Sequence, residues 1–120
     1  MKIGKRTDTL SLVSDINSAA MGVEFVNGFS VAASWDDPGS DISGVLTLQA
    51  SNNAFTDNVN MTPDPNALWI DITGSAVAVS DVGTQFWNVA DANYSAYRIK
   101  WVGTSGSSTL TAYHLIKGPQ

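Results

Sequence analysis

The sequence predicts an all-β domain, an antiparallel β-sandwich, and three observations predict it. Apolar residues arrive in short runs that alternate with polar ones, the period-2 pattern of half-buried strands. Those runs are separated by clusters of Gly, Pro, Asn, Asp and Ser, the residues that turns require. The strong helix formers that exposed helix faces need are scarce: only 14% of the 120 residues are charged.

The elements follow in order. In residues 1–22 the pattern is weak; Leu10 and Leu12 alternate with Thr9, Ser11 and Val13, giving either an edge strand or an arm laid on a neighbour. Phe29, Val31, Ala33 and Trp35 share one face of a strand, with Ser30, Ala32 and Ser34 on the other. The run Asp36–Asp41 contains Pro38 and Gly39 and reads as a turn. It joins this strand to Val45–Ala50 in an expected hairpin with an acidic tip. A long polar loop then carries Pro63 and Pro65, and loops of this length often hold binding residues. Leu68, Ile70 and Ile72 alternate with Trp69 and Asp71, with the three aliphatic residues on the apolar face. Short runs at Val77–Val79 and Phe86–Val89 follow, then a turn at Asp91–Asn93. Tyr97, Ile99 and Trp101 face one way on the next strand. Gly103–Ser108 is expected as a hairpin loop before a last strand, Thr109–Lys117.

These elements make about seven to eight strands in a sandwich, jelly-roll-like or immunoglobulin-like, with an extended N-terminal arm. Residues 1–22 are the expected arm or edge strand and residues 23–120 the sandwich domain. A chain of this length is one domain and builds its own core without a staple. It has no cysteine, hence no disulfide, zinc-thiolate site or thiol nucleophile. No run approaches the roughly 20 apolar residues of a membrane span, and no apolar core follows the N-terminal basic residues as in a secretory signal. Synthesis in the cytoplasm as a soluble chain is expected, with no membrane partner.

The charge is −5, so the basic footprint of a nucleic-acid binder is missing. Lys2, Lys5 and Arg6 concentrate half of the six basic residues at the N-terminus, where they either touch an acidic partner or are simply solvated. His114 is the one histidine, which removes His-based metal clusters; in a strand between Ala112 and Ile116 it reads as structural or exposed. No G-x-S-x-G elbow and no phosphate-binding loop with Lys is present. The oxygen-rich set Asp36, Asp37, Asp41, Asn52, Asn53 and Asp57 matches no calcium-loop spacing, and Glu24, the single Glu, has no evident carboxylate partner. No catalytic residue, metal or cofactor is expected, and the chain is read as a non-enzyme. Trp69 opposes Leu68 and Ile70, and Trp87 opposes Phe86. Either tryptophan is exposed, for stacking a sugar or anchoring a protein, or covered by loops.

The blocks Ser30–Trp35 (SVAASW), Gly44–Asn53 (GVLTLQASNN), Trp69–Ser80 (WIDITGSAVAVS), Phe86–Val102 (FWNVADANYSAYRIKWV) and Ser105–Gly118 (SGSSTLTAYHLIKG) come in a succession that resembles small β-sandwich virion proteins of tailed bacteriophages. The resemblance spans about three-quarters of the chain and is weakest in the arm and in the loop Thr56–Ala67. It implies a capsid decoration (cement) protein that binds the particle through its sandwich edge and N-terminal arm. It implies the major capsid protein or other virion proteins as partners, and a homo-oligomer, with a trimer favoured. It offers no catalytic residues. A tail or fibre protein, or a carbohydrate-binding module for host-surface glycans, is the alternative. Lys2, Lys5, Arg6, Leu10, Leu12, Trp69 and Trp87 are the candidate interaction residues.

Overall fold

The computed structural model describes residues 3–23, 28–57, 60, 62–90 and 94–117. Lys2, Glu24 and the turn Asp91–Asn93 lie outside the described residues. Six long strands carry the fold: β1 (Ile3–Leu12), β4 (Gly28–Trp35), β5 (Ser43–Ser51), β10 (Gly83–Val89), β11 (Ala96–Ser105) and β12 (Ser108–Lys117). Six short ones complete it: β2 (Ile16–Asn17), β3 (Met21–Gly22), β6 (Phe55–Asp57), β7 (Thr62–Pro63), β8 (Ile70–Asp71) and β9 (Val77–Val79).

Sheet A has the order β1-β12-β4-β10, and sheet B runs β2-β11-β5-β8, with β3 also on β11 and β9 also on β5. Thus β2 with β3, and β8 with β9, each fill one edge of sheet B in two pieces. The sandwich has eight strand positions, with the small β6–β7 hairpin outside it. Successive long strands from β4 onward switch sheets, and β1 closes beside β12. This is the double-Greek-key winding of a jelly roll rather than the immunoglobulin arrangement.

The alternation read from the sequence supplies the core. Phe29, Val31, Ala33 and Trp35 from β4 meet Leu46 and Leu48 of β5, Tyr97, Ile99 and Trp101 of β11, and Leu110 and Ala112 of β12, all buried. Leu10 and Leu12 of β1 join them, with Leu12 wholly inaccessible. Burying a side chain of this size contributes about 1.5–3 kcal/mol. The N-terminal strand is therefore fixed onto this subunit by its own core residues as well as by unbroken pairing from Ile3–Lys117 to Leu12–Ser108.

Two expected hairpins are corrected. The strands β4 and β5 lie in opposite sheets, and their connection crosses the end of the sandwich because Ile42 in it is buried over the core. The acidic residues hold this crossing. Asp37 Oδ1 accepts from the backbone N–H groups of Asp41 and Ile42 at 3.0 and 3.1 Å. Asp36 Oδ1 accepts from Ser108 Oγ at 3.0 Å and from the Thr109 N–H at 2.8 Å. These bonds stabilise the ionised form and hold the Asp36 carboxyl below the usual carboxylate range. Likewise β11 and β12 belong to opposite sheets and are joined across the sandwich end by Gly106 and Ser107. Gly106 has φ +76°, and a Cβ there would lie 2.6 Å from the Asp41 carbonyl oxygen.

A third correction concerns Leu68 and Ile70, expected inward and found 65% and 58% exposed. Ile70 pairs with Ala50 and has the inward parity. It sits at the free edge of sheet B near the end of β5, where little of the opposite sheet covers it.

Candidate functional site

The two outer faces of the sandwich differ, and the difference marks the candidate interface. On sheet A the register aligns Thr7, Tyr113, Ala32 and Phe86 in one row across all four strands. The flanking rows are Thr9, Thr111, Ser34 and Thr84 on one side, and Lys5, Leu115, Ser30 and Asn88 on the other. Lys5 is the one charge among these twelve positions. Phe86 is 62% and Tyr113 55% exposed. Ala32 between them is too small to fill the gap, so shallow depressions open on both sides of the row.

Sheet B covers much of its outer face with its own side chains. Arg98 Nε donates to Gln49 Oε1 at 2.9 Å, and Gln49 Nε2 donates to Asp71 Oδ1 at 2.9 Å. Lys100 Nζ stands 3.9 Å from the same Asp71 oxygen. The Arg98 guanidinium lies 4.2 Å from the centre of the Trp69 ring, a cation–π contact. Gln49 and Thr47 are buried although they face outward from the sheet. The polar network covers part of the outer face of sheet B, leaving Val45 and Val102 exposed; the outer face of sheet A is aromatic, with Lys5 as its one charge.

Between the sheets lies a polar chain that the sequence did not announce. Tyr97 OH and His114 Nδ1 share a hydrogen bond at 2.6 Å, and His114 Nε2 stands 3.1 Å from Asp8 Oδ2. The latter contact has the distance of an ion pair but lacks hydrogen-bond alignment. Asp8 Oδ1 in turn accepts from Arg6 Nε at 3.0 Å. Burial dominates the His114 ring and lowers its pKa, with the Asp8 carboxylate opposing that shift. Burial also raises the Tyr97 phenol, so both groups are neutral near pH 7. The Phe29 ring stacks on Tyr97 at 3.8 Å and separates the chain from solvent. Three residues in a line resemble a relay, with the Tyr97 and His114 side chains buried. Their role is to fasten β1, β11 and β12 together.

The sequence-predicted residues fall as follows. Lys5 lies on the outer face of sheet A, and Arg6 is exposed beside Asp8 at the edge of the sandwich. Leu10 and Leu12, expected on an edge strand or an arm, are core residues of the edge strand β1. Trp87, read as either exposed or covered, is only 6% exposed; its indole N–H donates to the Ser75 carbonyl at 2.9 Å and closes that flank. Trp69 is half-buried, with Arg98 on its ring. A glycan platform built on two exposed tryptophans is therefore absent among the described residues. The residues that sequence reasoning missed are Phe86 and Tyr113; the signal was an aromatic on the Ser/Thr/Ala side of each alternation. Among the described residues no group of three His, Asp or Glu is placed to hold a metal ion.

The fold and its two faces define a jelly-roll domain with one aromatic face that carries a single charge, Lys5. No family model matches the chain, and no curated protein matches it in sequence. A solved structure, the SPBc2 prophage-derived protein YomS, is similar in fold: TM-score 0.56 and 14% identity over 96% of each chain. At that identity the likeness is one of fold.

Proposed function

We propose that this chain is a structural component of a bacteriophage virion, a capsid decoration protein that binds the particle by surface complementarity and without chemistry. The observation that carries the reading is the outer face of sheet A. It is aromatic and carries only Lys5 as a charge in a chain of net charge −5, and interface cores are depleted of charge and enriched in aromatic residues. The fold shared with a prophage-derived protein supports the phage origin, as does the succession of blocks that resembles virion proteins. The partner is the major capsid protein or another virion protein. Phe86 and Tyr113 are the anchors, in place of the arm residues Leu10 and Leu12.

The test is mass spectrometry and cryo-electron microscopy of purified particles from a host carrying the gene. Regular density for the jelly roll on the capsid is expected, and the double variant Phe86→Ala/Tyr113→Ala should strip it from the particle. Density confined to the tail would move the site of attachment. Complete absence from purified virions would overturn the proposal.

A further inference from the structure

Sheet A has two edges, and they are guarded unequally. An edge strand presents unpaired N–H and C=O groups, and proteins blunt it with charges, inward-pointing ionic residues, prolines or bulges. The β1 edge has such guards: Lys5 outward, and Arg6 with Asp8 on the inward parity. The opposite edge, β10, has none. Its sequence GTQFWNV contains no charged residue and no proline, and its register against β4 runs unbroken from Gly83–Trp35 to Val89–Phe29. Among the described residues β10 pairs with β4 alone. Gln85 Nε2 reaches the Phe86 carbonyl of its own strand at 3.3 Å, a weak substitute for a strand partner.

We infer that β10 pairs antiparallel with β10 of a second copy of this chain, about a twofold axis at Phe86, joining two A sheets into one of eight strands. The occupant is a strand because only a strand satisfies a row of alternating donors and acceptors. It is the same strand because the twofold register is self-complementary. Phe86 falls opposite Phe86 of the second copy, and Thr84 opposite Asn88, an aromatic pair flanked by polar pairs. Charge decides between this edge and the rest of the surface. Each copy is at −5, so association is least opposed along a strand with no charge.

The size of the contact sets its strength. Seven residues extend about 24 Å, and the molecule is 24 Å through its thinnest axis. The shared edge therefore covers roughly 500 Å² per copy, near the roughly 1,000 Å² total at which specific interfaces begin. The dimer is expected to dissociate in the micromolar range, forming at high local concentration.

Native mass spectrometry and sedimentation of the full chain over a micromolar concentration series test this. Expected is a monomer–dimer equilibrium that Phe86→Lys weakens about tenfold or more, because two lysines would face each other. Tyr113→Lys, two strands in from the edge, and Thr9→Lys, on the guarded edge, should leave the equilibrium unchanged. In the wild-type chain, amide exchange across Gly83–Val89 should slow as concentration rises, a reading that needs no variant. A monomer at every concentration, a trimer, or a dimer broken equally by Tyr113→Lys would overturn the inference. So would exchange in β10 that is indifferent to concentration. The β10 dimer stands or falls independently of whether the chain is found on a virion.

Discussion

Replacing Tyr97 by Phe removes one oxygen atom from the centre of the protein and tests the buried chain directly. Tyr97 is fully inaccessible, and its hydroxyl is hydrogen-bonded to His114 Nδ1 at 2.6 Å. The substitution keeps the ring stacked on Phe29, so the packing change is small and the loss is that of the hydrogen bond. His114 Nδ1 is then left buried without a partner, which costs about 1–3 kcal/mol. For a chain of 120 residues the unfolding entropy is about 0.25 kcal/mol per degree, so the midpoint should fall by roughly 4–12 °C. Guanidinium and thermal unfolding of Tyr97→Phe beside the wild type read both quantities. The wild type itself should lose stability as pH falls. His114 is held neutral when folded, with a pKa below the ordinary value of about 6.5, so the unfolded chain binds the proton more readily. This contribution is complete above about pH 6.5 and is lost below it, with a slope of at most about 1.4 kcal/mol per pH unit. A loss under about 0.5 kcal/mol in Tyr97→Phe, or stability that is flat in the wild type from pH 7.5 to below 6, would refute the account of this cluster.

Other changes separate fold from face. Gly106→Ala should lower stability by about 1–3 kcal/mol in chemical denaturation, since a positive φ is combined with a Cβ against the Asp41 carbonyl. Leu48→Ala, in the centre of β5, should cost about 2–5 kcal/mol in the same assay. Arg98→Ala should uncover the Trp69 ring, seen as stronger iodide quenching of tryptophan fluorescence with a loss of only about 0.5–1 kcal/mol. Phe86→Ala with Tyr113→Ala should leave stability within about 0.5 kcal/mol of wild type, because both rings are exposed, while particle binding is lost.

Much of the sandwich was legible because its strands have one wet face. Between Phe29 and Trp35 one parity carries Phe29, Val31 and Trp35 and the other only Ser and Ala, so alternation alone chose the inward side. It failed at Phe86 and Trp87, where both faces begin with an aromatic residue; period 2 separates the two faces but does not say which is inside. It also misled at Leu68, which lies outside any strand, and at Ile70, whose parity is inward but whose edge position leaves it uncovered. The Asp36–Asp41 run has the composition of any turn, and composition does not distinguish a hairpin from a crossing between sheets. The overlooked sign was Ile42, a large apolar residue at the exit of a supposed exposed tip. The cluster around His114 had no local sign, because Asp8 and Tyr97 approach it only through the pairing of β1 and the stacking of the two sheets.

The pairing of β1 with β12 also governs how the molecule comes into being. Ile3 stands opposite Lys117, so the first long strand waits for the last before it gains its ladder of hydrogen bonds. Closing so large a loop early is entropically unfavourable, and chains dominated by distant pairings fold in milliseconds to seconds. Until that moment β12 lacks one neighbour and Leu10, Leu12 and His114 have no interior to enter. The same closure makes the finished domain cooperative: peeling β1 away uncovers the His114 ring and unpins the crossing strands together, so the two ends of the chain melt as one unit with the core.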